Sequence, residues 1–531
     1  MICPFISGVP CFKLRFCLGL SGLEHGGSES MGDMSTIAFS SIDGFAATVD
    51  VIVCGFGGAG GSAALEAAQS GAAVMILERA SGSGGATAMS SAEMYLGGSG
   101  GTALQRDLGI EDSTENMIAY LEKSLEDRGD KEKIRLYAEG AADHFDWVES
   151  LGVNYKRALM LEREVVPLTD ESLLFSGNER TSEFAAAAIP VPRGHVPSHE
   201  GDFGGQIFMR ALTQAVERAG VDIHFDCWVQ SLVIGNEGRV VGVGVRENNE
   251  TRYYIARRGV VLTTGGFIMN KEMTRHYLPE VHRWAAPYGN PYDLGDGIRL
   301  GMAAGGAVAN MDEAFLSFPL YPPAKLTNGI MINRQGDRFV NEDAYLARLG
   351  HYASLQTDQR VYLLVDHDDY DHPMYIERLD LVAVGDTVAE IETEAGFFPS
   401  GALQETVAYY NRFAAEGRDP KFHKSADWLK PLKAKPLALL DLSFASQTAV
   451  IMPGTKGPLT FSLGGLDTLS SGEVKHINGG VVAGLYAAGR ASAGLPRTSK
   501  GYASGMSVGD ATFFGRWAGR SAATHTPLER N

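Results

Sequence analysis

Asp50-Val-Ile-Val-Cys54, followed at once by Gly55-Phe-Gly57-Gly58-Ala59-Gly60, is the stretch that decides the fold. The first five residues read as a short, fully buried parallel strand. An alanine-rich helix follows over Ser62 to Ser70, then a second apolar strand, Ala73 to Leu77, that ends in Glu78. Strand, glycine turn, helix, strand and acid in this order form the βαβ dinucleotide fingerprint. Gly55 makes the turn, Gly57 lets the backbone approach a pyrophosphate, and Gly60 lets helix meet sheet. Gly58 and Ala59 open the helix, whose N-terminus receives the phosphates. Glu78 lies 23 residues after Gly55, where an acid accepts from a ribose, with Arg79 beside it. A GxGxxG alone is weak evidence; here its whole context is present.

The next segment separates a flavin dinucleotide from a nicotinamide one. A nicotinamide enzyme continues with a third Rossmann unit, whereas this chain enters a small polar loop, Ser83 to Ser91. Such a loop runs along the pyrophosphate towards a flavin ring, and it offers Gly85, Ala86, Thr87, Ser90 and Ser91. Val229 ends a strand placed to meet adenine. Gly259 to Phe267 is a buried strand turning into glycines, with Thr264, Gly265 and Gly266 at the turn. Gly295-Asp296-Gly297 opens a helix near another phosphate or ribose contact. Near the C-terminus, Gly484-Leu-Tyr-Ala-Ala-Gly489-Arg490 precedes Lys500-Gly-Tyr502-Ala-Ser504-Gly505, and a helix from about Met506 carries Ser507 and Val508 in its first turn. The expected cofactor is FAD. It is expected to be non-covalent, because no histidine sits in the context used for covalent flavin attachment.

Composition sets the outer bounds. A chain of 531 residues with 44% hydrophobic residues supports several domains around sizeable cores. The net charge of −18 and the lack of a long basic run argue against a nucleic-acid partner. Five cysteines without metal-ligand spacing point to a reducing, cytoplasmic compartment and to no metal site. No apolar run is long enough for a membrane span. Residues 1–47 read as a disordered or mis-started extension, with Met31 or Met34 as the true start. The expected architecture is α/β: a Rossmann-like FAD-binding domain built from two chain segments, 48–305 and 436–525. An α+β cap, the catalytic domain, is inserted between them at 306–435. Residues 111–155 and 205–219 read as amphipathic helices. His351, His476 and the stretch Asp366 to His372 read as solvated surface, and Cys54 as core.

Taken together, these motifs resemble the fumarate reductase/succinate dehydrogenase flavoprotein superfamily over about residues 48–525. Asn341-Glu342 and Asn411 to Gly417 add to the resemblance. It implies a flavin ring at the interface of FAD domain and cap. The chain departs from the reductases at three points. Thr460-Phe-Ser462-Leu463-Gly464-Gly465 stands where they carry a histidine. Arg338-Phe-Val-Asn-Glu342 is followed by Asp343-Ala-Tyr345 rather than by an early proton-donating arginine, and Arg348 comes later. Tyr502 stands where they hold a carboxylate-binding arginine, although Arg497 is near in sequence. The loss of these ionic groups weighs against a dicarboxylate substrate. Tyr345 and Tyr502 instead look like the paired tyrosines of the 3-ketosteroid dehydrogenases. Gly501-Tyr502-Ala503-Ser504-Gly505 is similar to the 4-dehydrogenase branch, which acts on 5α-reduced 3-ketosteroids.

Desaturation beside a ketone removes a proton from the α carbon and a hydride from the β carbon. The carbonyl oxygen therefore needs hydrogen-bond donors, and the α carbon needs a base. Tyr502 and Ser504 lie two apart on one side of an extended segment and are expected to pair as a relay, with Tyr345 meeting them from the cap. Singly, each has an ordinary reading as packing or a helix cap. The sequence leaves open which tyrosine is the base. It also leaves open a 1-dehydrogenase, a fumarate-type enoate reductase and a non-catalytic flavin module. No haem or iron–sulfur motif is present, so an external electron acceptor is expected. The expected substrate is a steroid-like small molecule.

Overall fold

The apolar run over residues 51–54 ends a strand, Ala47–Cys54, that lies at the centre of the main sheet, because these four residues are buried on both faces. The structure, a computed structural model, describes residues 34–164, 169–199, 204–318, 320–449 and 456–526. Its main sheet contains β1 (Ser35–Ala38), β2 (Ala47–Cys54), β3 (Val74–Leu77), β4 (Asp222–His224), β5 (Trp228–Ile234), β6 (Val240–Glu247) and β7 (Glu250–Leu262). They lie in the order β1-β5-β6-β7-β2-β3-β4. The β7–β2–β3–β4 half is parallel, as the fingerprint requires. Helix α1 (Gly58–Gln69) crosses from β2 to β3 and is almost wholly buried.

Residues 1–33 of the expected extension lie outside the described residues. Ser35–Ala38, which the sequence reading placed in that extension, is instead an edge strand paired in parallel with β5.

Helix α2 (Asp296–Ala303) closes the first segment. The cap follows as an antiparallel sheet of β8 (Ile330–Asn333), β9 (Val361–Asp366), β10 (Asp380–Gly385) and β11 (Leu437–Asp441), in the order β8-β9-β11-β10. Between β8 and β9 runs helix α3 (Leu346–Ser354). The expected return to the FAD domain at residue 436 is thus corrected. The apolar run Leu437–Asp441 is an inner cap strand, flanked on both sides. Arg338 and Glu342 of the cap motif are buried and paired at 2.7 Å, with Asp419 and Lys424 as further partners. Burial pushes the Glu342 carboxyl up, but Arg338 and Lys424 outweigh it and hold it below its ordinary value. Asp366 and Asp369, expected in a solvated loop, are buried and hold Lys430. His351 is half-buried rather than exposed, and burial pushes its imidazole down to about 4.

The last segment rejoins the main sheet through β12 (Glu473–Lys475) and β13 (Val481–Ala487), the latter parallel to the C-terminal end of β7. Helix α4 (Met506–Thr524) then packs along α1, where Arg516 reaches Glu66 at 2.8 Å. The expected helix in 111–155 is two, Thr114–Leu125 and Lys131–Ser150, while Gly204–Arg218 forms close to where the pattern puts it; a further helix, Ala402–Ala414, lies in the cap. Among the described residues, no helix is long and apolar enough to cross a membrane.

Candidate active site: a groove between two helix N-termini

One long groove runs from the C-terminal ends of β2 and β3 to the first turn of α4. At its outer end, Glu78 accepts from the Phe56 N–H at 2.6 Å and from the Ala80 N–H at 2.7 Å. Burial pushes its carboxyl up against these bonds. Arg79 donates to Asp296 at 2.9 Å and lies 4.1 Å over the Trp228 ring, whose N–H also reaches Asp296 at 2.9 Å. Val229 lines the same end.

The middle of the groove is backbone. Helix α1 starts at Gly57 without a side-chain cap, so its first N–H groups face the groove. A side chain at Gly57 would meet no protein atom within 3.7 Å; it would project into the groove. Gly58 donates to the Thr87 hydroxyl at 3.1 Å, which fixes the loop carrying Gly85, Ala86, Ser90 and Ser91 along one wall. Thr264, Gly265, Gly489 and Ala59 line the opposite side. Gly60 and Gly266 do not line the groove. Gly60 lies against the Gly55 carbonyl, and Gly266 lies beside Ser462 and Arg490.

The inner end begins at α4. Gly505 takes a left-handed turn, φ 86°, and caps α4 with no side chain, so Gly505, Ser507 and Val508 present a second open helix N-terminus to the groove. Arg490 is held by Asp293 at 2.6 Å through one nitrogen, while its other terminal nitrogen is buried with no partner.

Tyr502, Ser504 and Tyr345 all line this end. The expected pairing of Tyr502 with Ser504 is corrected, because Tyr502 donates to the Ser507 hydroxyl at 2.8 Å. The alternation argument holds in a strand, but here the chain turns at Gly505 into a helix. The Ser504 hydroxyl instead bonds towards Tyr345. Burial pushes the Tyr502 phenol up to about 12; the Ser507 hydroxyl and N–H and the Arg490 charge oppose it, and Glu93 adds to it. Burial holds Tyr345 well above its ordinary value, with Glu93, Tyr321 and Tyr502 adding and Ser504 opposing.

Each of these groups is held from elsewhere. The Tyr345 N–H donates to Asn178 at 2.8 Å as α3 begins. Ser504 is clamped to Ser176 by bonds of 2.8 and 3.2 Å. The rings of Phe315 and Phe461 meet Tyr502 edge-on, with centroids at 4.8 and 5.9 Å. Glu93, Asp293, Phe315 and Phe461 were not singled out in the sequence; they are isolated residues whose partners are remote.

The two arginines left open by the sequence are engaged outside the groove. Arg348 pairs with Glu183 at 2.6 Å and stacks near Phe184 and Tyr352. Arg497 donates to the carbonyls of Gly494 and Ala493 at 2.9 and 3.2 Å. Neither lines the groove.

Two uncapped helix N-termini, a glycine cradle and a buried donor on Arg490 fit an extended diphosphate carrying a polar ring. The fold and groove define a flavoprotein. The chain belongs to the family of FAD-binding domains, whose pattern matches residues 50–505, and FAD is its cofactor. It is similar to the 3-ketosteroid-Δ4-(5α)-dehydrogenase of Rhodococcus jostii, solved with 4-androstene-3,17-dione. Identity is 38% and the TM-score 0.85, over 92% of this chain and 100% of that one. A 3-oxo-5-alpha-steroid 4-dehydrogenase from Comamonas testosteroni is 27% identical over 60% of this chain and 67% of its own. A probable fumarate reductase from Shewanella frigidimarina is 28% identical over 90% of this chain and 75% of its own. The resemblance read from the sequence is borne out at the level of family and branch.

Proposed function

We propose that this chain desaturates the C4–C5 bond of 5α-3-ketosteroids. One observation carries the reading. Besides Glu93 and an Arg490 already paired with Asp293, the inner end of the groove offers hydroxyls and aromatic walls, while Arg348 and Arg497 are committed elsewhere. That suits an apolar ketone rather than a dicarboxylate, and it agrees with the Rhodococcus and Comamonas relatives.

The residues divide the work by position. Tyr502 lies just before the N-terminus of α4, with both Glu93 and Arg490 in reach of its phenol. With its phenol held at about 12, it stays protonated at neutral pH, and on substrate binding its O–H turns from Ser507 to the ketone oxygen. Tyr345 and Ser504 lie on the side faced by Glu93, and they take the α proton as a hydroxyl pair. Phe315 and Phe461 pack the ring and exclude water. When bound, FAD supplies the hydride acceptor. The remaining lining residues hold the cofactor: Glu78 and Arg79 at the ribose and adenine, the α1 N-terminus and the 85–91 loop at the pyrophosphate, and Arg490, Gly505, Ser507 and Val508 at the ring. Cys54 and Cys227 are free thiols, in keeping with a cytoplasmic enzyme that passes electrons to an external acceptor.

Anaerobic addition of a 5α-3-ketosteroid should bleach the flavin and yield the 4-ene-3-ketone. A 1-ene product would make the chain a 1-dehydrogenase. Reoxidation of the reduced flavin by fumarate, without bleaching by any 3-ketosteroid, would overturn the reading.

A further inference from the structure

Hydroxyl groups pass a proton on, but they do not keep it. Tyr345, Tyr502 and Ser504 are neutral at pH 7, so the α proton must move on from them to a base or to water. Four carboxylates line the groove. Glu78 serves the outer end and accepts two backbone N–H bonds, Asp296 holds Arg79 and Trp228, and Asp293 holds Arg490. The fourth is Glu93, at the inner end. Only 2% exposed, it precedes the short strand Met94–Tyr95, whose backbone presses on the turn at Gly505. Its carboxylate lies over Gly194, where any β carbon would come within 2.4 Å of Oε1 and 2.7 Å of the Ser176 hydroxyl. Ser176 is the residue clamped to Ser504. Glu93 therefore sits behind the very turn that carries Ser504 and Tyr502.

We propose that Glu93 is the terminal proton acceptor of the site, receiving the substrate's α proton through Ser504 and Tyr345. The inference rests on the ketone-desaturation reading above. The balance is complete: the α C–H bond breaks and its proton ends on the Glu93 carboxylate. The β hydrogen leaves with its electron pair to FAD, which is reduced as the substrate is oxidised. The groups facing this path are Tyr345, Tyr502, Tyr321 and Ser504, with Arg490 on the far side of Tyr502. Burial first, and an ionised Glu93 in addition, disfavour ionisation of both catalytic tyrosines.

The test uses the FAD-loaded full chain with a 5α-3-ketosteroid and three readouts. In the wild type, the infrared difference spectrum between oxidised and substrate-reduced protein should show a new carboxylic-acid carbonyl band. Glu93→Gln, close in shape, should lose that band and bleach roughly 10²-fold or more slowly at neutral pH, on the scale of general acid–base catalysis. Its rate should then climb with pH as hydroxide replaces the lost acceptor. Glu93→Asp should recover part of the rate and restore the band. As a readout that needs no flavin reduction, exchange of the ketone's α hydrogen into deuterated water should slow in Glu93→Gln to the same degree. A band that persists in Glu93→Gln, or an unchanged rate, exchange and pH profile, overturns the role of Glu93 and leaves the substrate reading standing. A wild type that neither bleaches nor exchanges with any 3-ketosteroid overturns the substrate reading, and this inference with it.

Discussion

At the outer end of the groove Arg79 is tied to Asp296 at 2.9 Å and stacked on Trp228; at the inner end Tyr345, Tyr502 and Ser504 face the cavity as neutral hydroxyls between phenyl rings. The first end is an ion-paired platform for a polar, charged cofactor. At the second, Arg348 is tied to Glu183 away from the groove, and Arg490, held by Asp293, keeps one buried nitrogen for the cofactor ring, so hydroxyls are left to meet the substrate. A shared scaffold thus serves two ligands of opposite character.

The contrast can be broken in graded steps. Tyr502→Phe removes a donor to the ketone oxygen and should slow flavin bleaching by roughly 10²–10³-fold, the usual cost of losing one such donor. FAD affinity should be nearly untouched, and an equal loss in both would show that the inner end also builds the cofactor site. Gly57→Ala acts on the other end. Its φ of −89° suits alanine, so the added methyl tests only the groove. FAD should bind about tenfold or more weakly, about 1.4 kcal/mol, while the saturated enzyme keeps its rate. Arg348→Ala is the mildest change for either ligand. It should lower stability by about 1–3 kcal/mol, mostly through lost packing of the buried Arg348 stem and guanidinium, since Glu183 is 41% exposed and keeps Lys123 as a partner. Bleaching by the ketone should persist; its abolition would give Arg348 the proton-donor role of the reductases.

The two ends also differ in how far the sequence reveals them. Much of the outer end and of the pyrophosphate cradle comes from one stretch, Asp50 to Ser91, so its spacing is legible, while Trp228, Thr264, Asp296 and Gly489 join from motifs further along the chain. The inner end joins Glu93, Tyr345 and Tyr502 from three distant segments. Tyr345, Tyr502 and Ser504 were legible through a family resemblance. Glu93, Phe315 and Asp293 leave no local pattern, and their meaning appears only when the cap and the two FAD segments close. Tyr502 and Ser504 do not pair for a local reason: they lie in the turn just before a helix start, where strand alternation does not hold. The cap boundary shifts for a local reason too, because Pro436 reads as an exit but immediately precedes β11.

The place of β13 and α4 in the fold has a consequence for how the protein is made. Strand β7 ends at Leu262 and waits for β13, which starts at Val481, while α1 near residue 60 waits for α4 after residue 505. On the ribosome, the fingerprint emerges early and is followed by the whole cap before its partners exist. Such long-range closure is slow and leaves apolar faces open in the meantime. The groove is therefore complete only once β13 and α4 have joined the fingerprint made hundreds of residues earlier, so a firm grip on FAD comes after the cap has been made.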